Sequence, residues 1–67
     1  MENTLKIHPI KTNKDVANIQ KIISMIEGVI ACEISIEKQE AYIMYNENFL
    51  DIDTIIDKIE GEGYMVI

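Results

Sequence analysis

His8-Pro9-Ile10-Lys11-Thr12-Asn13-Lys14-Asp15-Val16 is the stretch on which the reading of the chain turns. It lies between a short apolar alternation, Leu5 and Ile7, and a stripe of apolar residues at helical spacing that opens with Val16. The stretch is therefore a strand-to-helix loop. Thr12 followed three residues later by Asp15 has the pattern of a capping box, in which hydroxyl and carboxylate each satisfy a backbone N–H at a helix start. Such a loop turns N–H groups and the positive end of a helix dipole outward, so it is a place where a ligand can sit. This one offers no thiol and no imidazole.

Outward from the loop, the chain reads strand, helix, strand, strand, helix, strand. Before it, residues 4–8 alternate, with Leu5 and Ile7 on one side and Lys6 and His8 on the other, and Pro9 ends the strand. After it, Val16, Ile19, Ile23 and Ile26 share one helical face from Asn13 to Glu27, with Ile22 at its edge and Gly28 as the stop. From Val29 to Glu37, Ile30, Cys32, Ile34 and Ile36 alternate with Ala31, Glu33, Ser35 and Glu37. Lys38 to Glu40 make a turn, and Ala41 to Tyr45 return as the second arm of a hairpin. Asn46 to Asn48 form a polar loop, and Asp51 is placed as an N-cap. Ile52, Ile55, Ile56 and Ile59 stripe the second helix, Gly61 and Gly63 end it, and Tyr64 to Ile67 form a last strand.

Two strand-helix-strand units with right-handed crossovers predict an α+β fold, the ferredoxin-like βαββαβ sandwich. Its four-stranded antiparallel sheet carries both helices on one face. Leu5, Ile7, Cys32, Ile34, Ile36, Ala41, Ile43 and Val66 are expected to face the helices. Lys6, His8, Glu33, Ser35, Tyr42, Met44 and Met65 are expected on the open face, where Met44 and Met65 could meet.

Sixty-seven residues predict a single domain over 1–67, near the lower size limit for a core without staples. One cysteine excludes an internal disulfide, and one Cys with one His argues against a closed zinc site. Without a leader or a membrane-length apolar run, the expectation is a cytoplasmic protein with no membrane insertion. A net charge of −6 argues against nucleic acid. That charge is unevenly spread. Residues 1–28 have four lysines against three acids, and residues 29–67 have two lysines against nine. Catalysis has no support, since no serine–histidine pair, phosphate loop or paired carboxylates appear.

Thr4-Leu-Lys-Ile7, Ile26-Glu-Gly-Val29, Cys32-Glu-Ile-Ser-Ile36, Ile55-Ile-Asp-Lys-Ile-Glu60 and Gly63-Tyr64 together resemble the heavy-metal-associated domain of copper chaperones and copper-pumping ATPases. The likeness spans nearly the whole chain and implies the same ferredoxin-like fold. The family's signature, Gly-Met-Thr/Ser-Cys-x-x-Cys, falls on this loop, with Pro9-Ile10 at the Gly-Met and Thr12 and Asp15 at the two cysteines. Cu(I) requires soft sulfur ligands, so no metal is expected here; were one bound, copper or zinc would be the ion the family implies. Read on its own, Cys32 is an inert strand residue, and His8 is a solvated imidazole. The resemblance implies a docking surface of Ile10, Lys11, Lys14 and Tyr64. The expected role is a small protein-interaction module whose partner is a metal-transporting ATPase domain or a second copy. The alternatives are metal handling through His8, Asp15 or methionines, and, by fold analogy alone, an ACT-like small-molecule sensor.

Overall fold

A computed structural model describes all of residues 1–67 and has the order β1 (Glu2–His8), α1 (Asn13–Ser24), β2 (Val29–Ser35), β3 (Glu40–Tyr45), α2 (Ile52–Gly61) and β4 (Met65–Val66). All pairings are antiparallel and the strand order is β2-β3-β1-β4, the ferredoxin-like sandwich. The two longest-range ladders put β1 beside β3, with Leu5 opposite Ala41, and β1 beside β4, with Ile7 opposite Val66.

The core follows from the two periodicities. Ile19 and Ile23 on α1 and Ile55 and Ile59 on α2 are fully buried against Ile7, Ala41 and Ile43 of the central strands. Seven of the ten core residues are isoleucine, whose branched side chains pack well on a pleated surface. No polar residue is buried and no buried side-chain nitrogen or oxygen lacks a partner. Both helices start as their caps predict: Thr12 and Asp51 sit in extended backbone and accept from Asp15 N–H and Thr54 N–H.

Four expectations need correction. Helix α1 stops at Ser24, and the chain unwinds through three-residue turns, Ile26 N–H to Ile23 O and Val29 N–H to Ile26 O. Gly28, at φ +104°, instead makes the corner into β2, where an added Cβ would stand 3.0 Å from Cβ of Leu50. A bulge between Val29 and Ala31 breaks the alternation of β2 and leaves Ile30 in solvent. Strand β2 ends at Ser35, so Ile36 starts the turn and is 37% exposed rather than facing the helices. Tyr45 and Leu50, by contrast, join the core.

The fourth concerns Met44 and Met65. They do lie on the open face, but Met44 is opposite Glu2 and Met65 opposite His8. Six residues of β1 separate those positions, about 20 Å at the rise of an extended strand. The two thioethers do not meet.

Candidate functional site

The loop after β1 is closed by its own hydrogen bonds. Thr12 Oγ1 accepts from Asp15 N–H at 3.2 Å, and Asp15 Oδ2 accepts in return from Thr12 N–H at 3.2 Å, completing the capping box. The same oxygen accepts from Lys11 N–H at 2.9 Å. Asp15 Oδ1 accepts from the Tyr64 hydroxyl at 3.0 Å, tying the end of α2's following segment to the start of α1. Both carboxylate oxygens are thus engaged. The Lys11 N–H, followed by the Tyr64 hydroxyl, holds the Asp15 carboxyl below the usual carboxylate range. Burial, above all, pushes the Tyr64 phenol up.

A second latch comes from the β2–β3 turn, and nothing in the sequence pattern pointed to it. Gln39 adopts a left-handed backbone, φ +55°, which aims its side chain across the sheet end. Its Oε1 accepts from Ile10 N–H at 2.9 Å, and its Nε2 donates to Ile10 O at 2.7 Å and to Ile36 O at 2.6 Å. The primary amide mimics a strand neighbour, matching both donor and acceptor of one backbone residue.

This latch corrects one member of the expected docking surface. Ile10 is 2% exposed and belongs to the core, because Gln39 draws its backbone in and its side chain follows. Lys11 and Lys14 are exposed, and neither takes part in an ion pair; the single ion pair of the molecule is Lys6–Glu40, at 3.0 Å. Tyr64 is half-buried with its hydroxyl turned inward to Asp15. Of the four expected residues, Lys11 and Lys14 are exposed and Tyr64 half-exposed, while Ile10 is not at the surface.

Other candidate ligands lie apart. Cys32 pairs with Ile43, which in turn pairs with Asn3 on β1, five residues from His8 and so about 17 Å along the strand from the loop. It is half-buried, and burial pushes its thiol up, away from the thiolate that a soft metal needs. His8 is exposed beside Met65. No three His, Cys, Asp or Glu side chains converge anywhere. The donor set at the loop, one hydroxyl and one carboxylate already committed to backbone N–H groups, does not fit Cu(I). An open groove also runs between α1 and α2, floored by Ile22, Met25, Ile26 and Tyr64. No helix is long and apolar enough to cross a membrane.

No protein-family model and no curated protein sequence matches the chain. Solved structures do. The chain overlays the CopZ metallochaperone with a TM-score of 0.96 over 100% of both chains at 18% identity. It overlays the CsoZ metallochaperone at 0.90, covering 100% of this chain and 96% of that one, at 25% identity. A copper transporter domain of yeast, studied in apo and Cu(I)-loaded states, overlays at 0.89 over 97% of this chain and 89% of its own, at 26% identity. The fold is that of heavy-metal-associated, copper-chaperone-like domains.

Proposed function

We propose that this chain is a heavy-metal-associated-type domain that carries no Cu(I) at its loop and works as a small protein-binding module. One observation carries the reading: at the positions where the fold's metal signature would place two thiols, Thr12 and Asp15 bond to each other's backbone N–H groups and to Lys11 and Tyr64. The loop is held in shape by its own hydrogen bonds. Lys11 and Lys14, unpaired beside it, oppose the approach of a cation and offer charge to an acidic protein surface. The partner class is a protein, with a domain of the same fold on a metal-transporting ATPase or a second copy as the leading choices.

Competition with a chromogenic Cu(I) chelator at micromolar protein tests the reading. The unmodified chain should leave the chelator loaded. The double variant Thr12→Cys, Asp15→Cys should withdraw copper from it, because the loop still has the spacing of the signature. Tight one-to-one Cu(I) binding by the unmodified chain would overturn the proposal.

A further inference from the structure

Besides Met1, which is 55% exposed, the end of the molecule opposite the loop carries three large apolar side chains that the core does not use. Met25, just past α1, is 75% exposed; Ile30, thrown out by the bulge in β2, is 66% exposed; Phe49, in the turn before α2, is 58% exposed. They belong to two segments packed side by side. Asn46 N–H donates to Gly28 O at 2.9 Å, Val29 is opposite Tyr45, and a Cβ on Gly28 would stand 3.7 Å from that of Phe49. Phe49 is presented by an ordered turn, its N–H bonded to Asn46 O at 3.0 Å and its neighbour Leu50 buried. Scattered exposed apolar residues need no explanation, but three on adjoining ordered segments form a patch.

The charge around the patch is mostly negative, the positive groups near it being Lys21, one turn before Met25, and the Met1 ammonium, which donates to Tyr45 O. Glu27, Glu47, Asp51 and Asp53 are all exposed, whereas residues 22–37 and 39–57 contain no lysine or arginine. An apolar floor within an anionic rim fits a polypeptide segment that carries lysine or arginine beside apolar residues. A face-to-face pairing of two copies would set the four acids of each against the other's, so a two-fold dimer through this patch is opposed. We infer that this end is a docking surface for a basic amphipathic segment of a partner protein, separate from the Lys11–Lys14 surface. The inference does not depend on whether the loop binds copper.

The test uses a synthetic peptide of leucine and lysine, about 18 residues or five helical turns, with a leucine–glutamate peptide of the same pattern as control. Titration of the full chain, followed by amide shifts, should move residues 25–30 and 46–53, and only with the lysine peptide. Phe49→Ser with Ile30→Thr should weaken binding at least about tenfold. Glu27→Gln with Glu47→Gln should weaken it too, at sites whose side chains support no packing. Lys11→Glu with Lys14→Glu should not weaken it. Shifts confined to Asp57 and Glu60 on α2, equal binding of the glutamate peptide, or undiminished affinity in the Phe49/Ile30 variant would each overturn the assignment. Sedimentation showing self-association that Phe49→Ser abolishes would overturn it as well, giving the patch to a second copy.

Discussion

Replacing Gln39 with alanine should loosen the loop more than any other single change outside the core. The side chain makes two hydrogen bonds to the backbone of Ile10 and one to Ile36 O. A neutral hydrogen bond contributes about 0.5–1.5 kcal/mol net, and a part-buried N–H left without a partner costs about 1–3 kcal/mol. For Gln39→Ala we expect a loss of about 2–3 kcal/mol, because Ile10 N–H has no other acceptor while Ile36 O and Ile10 O recover water more readily. Gln39→Gly removes the same bonds but relieves the left-handed backbone at φ +55°, and so should be less damaging by about 1 kcal/mol. Urea denaturation of both variants measures the totals, and hydrogen exchange at the Ile10 amide locates the change. A Gln39→Ala midpoint indistinguishable from the parent, or unchanged protection at Ile10, would refute the latch. Equal losses in the two variants would refute the backbone share alone.

Ile23 has no exposed surface, so Ile23→Ala should cost about 2–5 kcal/mol, whereas exposed Met25→Ala should stay within about 0.5 kcal/mol; similar losses in chemical denaturation would contradict the phase of α1. The Asp15 carboxyl is lowered by its bonds to Lys11 N–H and the Tyr64 hydroxyl, so its contribution is full above the ordinary carboxylate range and is lost as pH falls through the folded value. Asp15→Asn should therefore flatten the acid limb of the stability curve, and an acid limb as steep as the parent's would count against the linkage. Charge reversal at Lys11 and Lys14 should slow association with an acidic partner protein and leave the thermal midpoint nearly unchanged, since neither lysine is paired; an association rate insensitive to both the substitutions and salt would remove this surface from the docking account.

What could be read from the sequence divides along physical lines. Both helix stripes were legible because burial repeats at the helical period: Ile19 and Ile23, then Ile55 and Ile59, are fully buried. The faces of β3 were legible from alternation, and the Thr12–Asp15 box from spacing alone. The bulge was not, because one extra residue between Val29 and Ala31 leaves no mark in a run of apolar residues. Met44 and Met65 had the right face, but only register places them at opposite ends of β1. Tyr45 did carry a signal, being in step with Ala41 and Ile43. Gln39 carried none, since a glutamine in a polar turn looks solvated. Its bonds to Ile10 depend on an end-to-end approach of turn and loop that only the assembled sheet creates. The misplacement of Ile10 on the surface has the same origin.

The closed loop also bears on how a chain of net charge −6 can present a basic face. Asp15 directly follows Lys14 in sequence, yet its two oxygens are held by backbone N–H groups and the Tyr64 hydroxyl rather than by either ammonium group. The two lysines therefore stay free for a partner. The acids Glu2, Glu47 and Asp51 belong to the far end, separated from the loop by the length of β1, about 20 Å. At physiological salt, charges interact over a screening length of about 8 Å. A protein surface arriving at the loop meets the two lysines, the committed Asp15 carboxylate and Glu62 beside Tyr64 before it meets the acidic far end. The loop is also already ordered, so less conformational entropy is lost when it docks. Removing Gln39 or Tyr64's hydroxyl should therefore weaken docking through disorder of the loop, even though neither group need touch the partner.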